Sequence, residues 1–319
     1  MKALATIDTS TMTKVEFFGD SVIDEFIASR HASENTNRTY KNALRQLLKF
    51  FAANNISMPT ESDIDSFVNG LKAQKKSAAT LRLYTTVTKS FFSFTARKGY
   101  FANVAADVRL NLRKTQTHAK RALSNQQAKD LLASVEGENL LACRDRAVIA
   151  LCLTCGLRTV EISRADRGDL RDDGCGGYYL SVQGKGHVTK DQIVRVAPSV
   201  AKLVDEYLSL RGEIADGEPL FVSESNSNRG DRLSVQSVQK MIRRRMKKIG
   251  VYSKHSVTPH SCRHFAATTA IKAGVDIREV SQMLRHSNLT VTSVYLHDLS
   301  VETRTAEMRV ADSLFGGAA

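Results

Sequence analysis

The chain has 319 residues, and its 46 Lys and Arg against 33 Asp and Glu give a formal net charge of +13 at pH 7. Hydrophobic residues make up 42% of it and charged residues 25%, which is typical of a folded protein and excludes a wholly disordered chain. The charge predicts an anionic partner, either nucleic acid or a membrane surface, although a basic surface that serves only solubility would also explain it.

A membrane is disfavoured as the partner. The longest apolar run, 147–155, is far shorter than the roughly 20 residues of a spanning helix, and the N-terminus shows no signal peptide or lipidation motif. The five cysteines are odd in number and irregularly spaced, which favours a reducing cytoplasm over a disulfide framework. We therefore expect a cytoplasmic protein without a membrane partner.

The first hundred residues predict a small bundle of four short helices, since only four prolines interrupt the whole chain. The first helix is expected over 20–29, and the second carries apolar residues at helical spacing. Thr60 and Asp63 form a capping pair at the start of the third. Ser77 caps the fourth, which is expected to end at Gly99.

Residues 107–122 interrupt this helical pattern with basic side chains and little apolar periodicity. A solvated connection and a strap along DNA phosphates explain such a segment equally well. We predict a basic linker here, between an N-terminal domain at 1–106 and a C-terminal domain at 123–319. Its candidate phosphate contacts are Arg109, Arg113, Lys114, Lys120 and Arg121.

The C-terminal domain is predicted to be mostly helical around a small antiparallel β-sheet. Ser124 caps its first helix, and a strongly apolar helix follows over 142–156. Apolar residues then alternate over 178–182, the chain turns at 184–187, and a second strand leads to Val196, which together predict a hairpin.

Three further stretches of this domain place polar side chains at helix boundaries, where they can converge on one ligand. They are Gly156–Glu161 (GLRTVE), Thr258–His264 (TPHSCRH) and Leu284–Ser287 (LRHS), and the last of these precedes Tyr295. A single arginine, histidine or tyrosine of this kind is more often structural. The functional interpretation rests on the three stretches and Tyr295 taken together, as an ordered set along the chain.

These residue types suit attack on a phosphodiester without a metal ion. Arginine binds phosphate oxygens bidentately and stabilises the charge of a pentacoordinate transition state. Histidine exchanges protons near neutral pH, and a tyrosine hydroxyl becomes a nucleophile once its proton is removed. A lysine can protonate the leaving group; Lys185 in the hairpin turn is the candidate, with Lys190 nearby as a competitor.

The ordered set resembles the tyrosine recombinase (phage integrase) family in its simple two-domain, Xer-like form. The resemblance implies a mainly α fold, with an N-terminal four-helix, SAM-like domain that binds the core site and a C-terminal catalytic domain. It implies that Arg158 and Arg263 grip the scissile phosphate and that Tyr295 attacks it, leaving a 3′-phosphotyrosine. Lys185 would protonate the leaving 5′ oxygen, and His260 would assist proton transfer on the tyrosine side.

The resemblance also assigns supporting roles and exposes two departures. His286 would hydrogen-bond the phosphate, Glu161 would support the first arginine of the set, and His264 would support the fold. Arg285 stands where many members have Gly, and Cys262 stands where Leu is usual. We expect Arg285 to add charge near the site and to alter DNA contacts.

The basic helix predicted over 235–249 gains a function from this resemblance. Its apolar residues recur on one face, and the basic ones lie largely off that face. A solvated surface would explain them, but contact with the DNA backbone is favoured beside a phosphodiester site. These candidate DNA contacts are Arg243, Arg244, Lys247 and Lys248.

The partners implied by the resemblance are a duplex DNA with a specific core site and three further copies of the chain. Strands would be exchanged through a Holliday junction in a homotetramer, and a C-terminal helix at about 301–314 would dock into a neighbouring protomer. No cofactor or ATP is implied, because the covalent link preserves the phosphodiester energy. An accessory directionality factor and the DNA sequence itself stay open, because base contacts depend on side-chain placement. The expected location is the nucleoid.

Three other functions are weighed against this one. A type IB topoisomerase would share the chemistry but relax supercoils as a monomer, and an inactive accessory protein would share only DNA binding. A zinc enzyme is disfavoured, because Cys152 and Cys155 lie in an apolar helix without a second CxxC pair. His260, Cys262 and His264 alternate at a helix start and do not face one point. We expect no metal site.

Overall fold

The computed structural model describes residues 20–110, 121–184, 187–286 and 288–298. The chain divides into two units, Met1–Lys114 and Thr115–Ala319. The predicted domain limits at residues 106 and 123 stay a prediction, because 111–120 lie outside the described ranges.

Four helices form the described part of the first unit, as the sequence predicts. Serine or threonine caps three of them: the side chains of Ser33, Thr60 and Ser77 each accept the backbone N–H three residues on. The predicted capping box of Thr60 and Asp63 is present. The helices are α1 (Asp20–Ala28), α2 (Glu34–Ala53), α3 (Glu61–Ala73) and α4 (Ala78–Arg97).

Aromatic side chains hold these four helices together. Phe26 of α1 meets Phe91 of α4 edge to face at 5.5 Å and Phe94 at 5.4 Å. Leu47 of α2 and Ile64 of α3 are fully buried beside them. Aromatic burial of this kind supplies much of the stability of a small core, so the first unit has a hydrophobic core of its own.

The second unit is mostly helical with a small antiparallel sheet, which confirms the predicted fold class. Its described residues form eight α-helices and three short strands. The helices are α5 (Asn125–Ala133), α6 (Leu140–Thr154), α7 (Thr159–Arg164), α8 (Pro198–Arg211), α9 (Val235–Lys248), α10 (His260–Lys272), α11 (Ile277–Met283) and α12 (Leu289–Asp298), and the strands are β1 (Leu170–Asp172), β2 (Tyr178–Val182) and β3 (Gln192–Val196).

The sheet contains the predicted hairpin and one strand that the sequence analysis missed. β2 pairs antiparallel with β3, opposing Leu180 to Val194, and β1 pairs with the other edge of β2. Leu180 and Val194 are buried, whereas Ile193 points to the other face and is 68% exposed. β1 is only three residues long with one buried side chain, Leu170, so it carries no alternation that a sequence pattern could reveal.

Helix α6 is the centre of the second core and ends two residues before its predicted limit. Cys155 is its C-cap, and Gly156 then takes a left-handed φ of +57°, a conformation that favours glycine. The predicted apolar helix is confirmed, because most side chains of α6 are buried. None of the helices in the described part of the chain is long and apolar enough to span a bilayer.

Gly156→Ala is expected to lower the free energy of unfolding of the second unit by about 2–4 kcal/mol. A Cβ at this position would lie 2.7 Å from Cδ2 of Leu284, in addition to the strain of the positive φ. Gly174→Ala is the matched control, because Gly174 has φ +74° but open space around its Cβ, and should cost about 1 kcal/mol. Urea denaturation followed by circular dichroism measures both. Equal losses would contradict the steric argument.

Candidate active site

A cleft of about 950 Å³ opens in the second unit. Its walls come from the start of α7, the β2–β3 hairpin, α10, and the segment from the end of α11 through α12. Five of the six predicted catalytic residues line it: Arg158, His260, Arg263, His286 and Tyr295. The sixth, Lys185, lies outside the described residues, but its neighbours Gly184 and His187 line the same cleft.

Arg158 enters the cleft from the residue that precedes α7. Its Nη1 donates to Oε1 of Glu161 at 2.8 Å, and its backbone N–H donates to Oε2 at 2.8 Å. The Glu161 side chain is fully buried, whereas that of Arg158 is 21% exposed. The Glu161 carboxylate therefore binds one edge of the Arg158 guanidinium, and Arg158 also lines the cleft.

Arg263 lies deeper, on the first turns of α10. It is 1% exposed, and its Nη1 donates to the carbonyl of Gly156 at 2.5 Å while its Nη2 donates to the carbonyl of Leu284. Burial, followed by the positive charges of Arg158 and Arg285, lowers the pKa of Arg263 to about 9. The guanidinium still carries its charge at pH 7, in surroundings that favour a neutralising anion.

Arg285 adds a positive charge at the site, as expected, and its guanidinium is bonded to protein acceptors, while the expected change in DNA contacts stays a prediction. Its side chain is 3% exposed. Nη2 and Nε donate to the two carboxylate oxygens of Glu161, at 2.7 and 3.3 Å. Nη2 also donates to the carbonyl of Gly156, at 3.2 Å, and Nη1 donates to that of Met283, at 2.6 Å. Glu161 is thus shared by two arginines.

The pKa of Glu161 reflects this sharing. Burial raises it, but the charge and hydrogen bonds of Arg285, and then those of Arg158, outweigh burial and leave the pKa below its ordinary value. The carboxylate is therefore ionised at neutral pH. Arg158 and Arg285 lie close enough to Arg263 for their charges to lower its pKa, and three arginines against one carboxylate leave this part of the cleft positive.

Tyr295 is packed between two histidines. Its ring meets His264 edge to face at 5.2 Å and lies parallel to His286 at 6.3 Å. His260 in turn meets His264 at 5.0 Å. Tyr295 is 1% exposed and belongs to a small apolar cluster with Val280 and Leu284. The tyrosine is therefore held by ring contacts on two sides.

His286 is held by a residue that the sequence analysis missed. Its Nδ1 lies 2.8 Å from the hydroxyl of Thr292, which is fully buried. Burial, followed by the charges of Arg263, Arg158 and Arg285, lowers the pKa of His286 to about 3, so the ring is neutral at pH 7. Thr292 lies three residues before Tyr295 on α12. This spacing places both residues on one face of the helix, and it is the sequence signal that Thr292 lies near the site.

The competing lysine of the hairpin is already occupied. Lys190 Nζ lies 2.5 Å from Oδ2 of Asp166 and also contacts Oδ2 of Asp169. Arg232 binds the other oxygen of Asp166 at 2.5 Å. These ion pairs tie the hairpin to the segment after α7, and they leave Lys185 as the stronger candidate for proton donation.

The basic residues predicted to contact DNA have varied surroundings. Arg109 and Arg121 are exposed, whereas Arg113, Lys114 and Lys120 lie outside the described residues. On α9, Arg243 and Lys247 lie over the ring of Tyr252, at 5.9 and 5.5 Å.

The other two predicted DNA contacts on α9 have acidic neighbours. Lys248 pairs with Glu136 at 2.7 Å, and Arg244 lies 3.8 Å from Asp145. Arg244, Lys247 and Lys248 remain exposed while Arg243 is half-buried. Contact of the DNA backbone with this helix stays a prediction.

In the described ranges, no group of three or more His, Cys, Asp or Glu residues is arranged to hold a metal ion. Cys152 and Cys262 are fully buried, and burial raises the pKa of both thiols. Neutral buried thiols pack as small hydrophobic groups, and Cys152 and Cys262 both belong to the hydrophobic core of the second unit.

The comparison with known proteins gives matches to both units. Residues 121–301 match the phage integrase family, and residues 23–99 match the phage integrase N-terminal SAM-like domain. Tyrosine recombinase XerC of Corynebacterium glutamicum is 32% identical over 248 residues, which cover 76% of this chain and 74% of the relative. XerC of Rhodospirillum centenum is 32% identical over 281 residues, covering 83% and 78%.

Solved structures agree at the level of the fold. A XerH site-specific recombinase bound to palindromic difH substrate superposes with a TM-score of 0.70 at 20% identity, covering 93% of this chain and 84% of that one. A lambda integrase tetramer bound to a Holliday junction gives 0.65 at 18% identity, covering 86% and 76%. Because family matches cover both units and relatives above 30% identity span most of the length, the chain belongs to the phage integrase family of site-specific tyrosine recombinases.

Proposed function

We propose that this recombinase cleaves and rejoins DNA at a specific core site through a 3′-phosphotyrosine at Tyr295. The observation that carries the proposal is the convergence of Tyr295, two arginines and two histidines on one cleft of the second unit. Residues that are separated by more than a hundred positions in the chain would thus surround a single phosphodiester.

The arginines supply the electrostatic part of the mechanism. Arg158 and Arg263 would bind the non-bridging oxygens of the scissile phosphate and stabilise the additional charge of the pentacoordinate transition state. Their positions are set by protein acceptors, Glu161 for Arg158 and the carbonyl of Gly156 for Arg263. Donors fixed before the substrate arrives need little reorganisation during the reaction, which is the main source of such stabilisation.

The proposed covalent step needs no cofactor, because each bond that breaks is matched by a bond that forms. A bond forms between Oη of Tyr295 and phosphorus, and the bond between phosphorus and O5′ breaks. His260 accepts the proton of the tyrosine, and Lys185 gives a proton to O5′. The 5′-hydroxyl of a second strand reverses these steps, so that the energy of the phosphodiester is kept throughout.

His286 is suited to donate to the phosphate as a neutral ring. In the tautomer in which Nδ1 accepts from the hydroxyl of Thr292, Nε2 carries the proton and can bond a phosphate oxygen. The lowered pKa of His286 is consistent with such a role, since its neutral state persists at pH 7.

Covalent capture tests the proposal when the core site is unknown. The probe is a pool of nicked duplexes with a randomised core, in which a cleaved short strand diffuses away and the phosphotyrosine accumulates. Incubation in EDTA, followed by denaturing electrophoresis and sequencing of the adducts, should give a covalent complex on one core sequence. Absence of an adduct would contradict the enzyme function and favour an accessory DNA-binding role. Relaxation of supercoiled plasmids that lack the selected core would favour a topoisomerase.

The assembly we propose is a homotetramer on two paired core sites. The support is the fold shared with lambda integrase, whose tetramer is bound to a Holliday junction. The segment at 301–314, proposed to dock into a neighbouring protomer, lies outside the described residues. An accessory directionality factor is an additional proposed partner.

Removal of residues 300–319 is expected to leave DNA binding within about twofold of the intact chain and to reduce recombination by about tenfold or more. The reason is that a docking helix would contribute to protomer contacts and not to the DNA interface. Gel mobility on one and two selected sites separates binding from assembly. Unchanged recombination by the shortened chain would rule out this role.

A further inference from the structure

Arg285 occupies a backbone position that is unusual for its residue type. Its φ is +54°, in the left-handed region where a side chain is disfavoured and glycine is the usual choice. The residue is nevertheless an arginine with a side chain that is 3% exposed. Contacts made by this side chain must offset the unfavourable backbone conformation.

Those contacts include a protein acceptor of each proposed catalytic arginine. Oε1 of Glu161 accepts from Arg158 Nη1 at 2.8 Å and from Arg285 Nε at 3.3 Å. The carbonyl of Gly156 accepts from Arg263 Nη1 at 2.5 Å and from Arg285 Nη2 at 3.2 Å. Arg285 therefore binds the same acceptors that orient both arginines.

A fourth hydrogen bond attaches this arrangement to the element that leads to Tyr295. Nη1 of Arg285 donates to the carbonyl of Met283, the last residue of α11. One side chain thus joins the turn between α6 and α7, helix α7 and the end of α11. Lysine has one nitrogen and cannot make these contacts together, because they use the planar fork of the guanidinium.

We propose that Arg285 is a positioning residue, which fixes Glu161 and the Gly156 carbonyl so that Arg158 and Arg263 form one preset pair toward the scissile phosphate. The inference rests on the proposed function of that pair. Residue 285 belongs to the cleft wall, but its side chain is 3% exposed and its nitrogens are bonded to protein acceptors, so Arg285 acts through these acceptors and not through DNA.

The electrostatic surroundings of Glu161 give a signature that a purely structural contact would lack. The groups that face it are Arg158, Arg285, Arg263 and the thiol of Cys152. Burial raises the pKa of Glu161, and Arg285 provides the largest opposing effect. Without Arg285, the carboxylate should therefore protonate at a higher pH and release Arg158 there.

Arg285→Gly is the central test, because glycine relieves the positive φ and removes every contact of the side chain. The rate of adduct formation on the selected nicked duplex should fall by about tenfold or more at pH 7. In a plot of this rate against pH, the decline on the acidic side should begin at a higher pH. Arg285→Lys should return that decline to the pH seen in the unaltered protein, while the maximal rate stays low. Arg278→Ala, an exposed arginine on α11, is the control and should match the unaltered protein.

Salt dependence separates positioning from a DNA contact. Loss of a phosphate contact reduces the slope of log affinity against log salt by about 0.9, whereas Arg285→Gly should leave slope and affinity unchanged. A reduced slope, or an unaltered rate and pH profile, would overturn the inference.

A measurement without DNA keeps the inference separate from the proposed function. The side-chain carboxyl of Glu161, labelled with carbon-13 and assigned by comparison with Glu161→Gln, should titrate at higher pH in Arg285→Gly than in the unaltered protein. An identical titration would overturn the role of Arg285 even if adducts form. A protein that forms no adduct on any duplex would instead contradict the proposed function, while this titration still decides whether Arg285 controls Glu161.

Discussion

Tyr295→Phe is expected to abolish the covalent protein–DNA adduct, with a loss of at least about a thousandfold, while DNA affinity stays within about twofold. The substitution removes one oxygen, the proposed nucleophile, and keeps the ring that packs between His264 and His286. The measurements are adduct yield on the selected nicked duplex under denaturing conditions and fluorescence anisotropy for binding.

Tyr178→Phe is the matched control for this experiment. Tyr178 lies on β2, and its hydroxyl donates to Asp205 at 2.5 Å. It is not among the residues that line the cleft, so adduct formation should be unchanged. An adduct that persists in Tyr295→Phe would place the nucleophile elsewhere, and loss of DNA binding would mean that the ring contacts had been disturbed.

Arg158→Lys is expected to reduce the single-turnover rate of adduct formation by about 10²–10³-fold. Arg158 can bind Glu161 with one nitrogen while another faces the phosphate, and its side chain is 21% exposed. A lysine supplies one point charge on a flexible stem and cannot serve both groups with the same geometry. The rate is measured with enzyme in excess over the selected duplex.

Arg164→Lys controls for the replacement of an arginine at the other end of α7, since Arg158 directly precedes this helix. Arg164 ends α7 and is exposed, so its substitution should leave the rate within about twofold. If Arg158→Lys behaved like this control, bidentate binding at Arg158 would not contribute to catalysis. If both variants were slow, the effect would lie in α7 as a whole.

Local signals allowed much of the fold to be predicted. The caps at Thr60, Ser77 and Ser124 act within one helical turn, and the structure has all three. The hairpin could be predicted because apolar residues alternate with other residues along its strands. Strand β1 was missed because a single buried side chain, Leu170, cannot establish a period.

The site was predictable only as an ordered set of motifs. Neither spacing nor composition shows that Arg158 and Arg263 meet, since their meeting depends on how α10 packs against α6. That expectation came from the resemblance to a family. The contacts of the Arg285 side chain depend on tertiary packing and could not be derived from a pattern. The spacing of Thr292 and Tyr295 places them on one helix face, but it does not show that the Thr292 hydroxyl meets His286.

The same limit applies to the basic helix α9. Its periodicity predicts which residues face away from the core, but not which of them have protein partners. Glu136, from the segment between α5 and α6, pairs with Lys248, and Asp145 of α6 lies 3.8 Å from Arg244 while it binds Arg144 more closely. The net charge of α9 is therefore a poor guide to how many of the basic side chains on this helix remain available to DNA.

The sharing of the Glu161 carboxylate by two arginines, with a third buried beside them, has a consequence for the evolution of this protein. Folding buries the Arg263 charge beside Arg158 and Arg285 before a substrate neutralises it, which disfavours its charged form and lowers the stability of the folded protein. A substitution that removes this repulsion while Glu161 keeps a positive partner can make the protein more stable and less active at the same time. Selection for robustness and selection for strand cleavage therefore act in opposite directions on these positions, and stabilising changes should accumulate elsewhere in the chain.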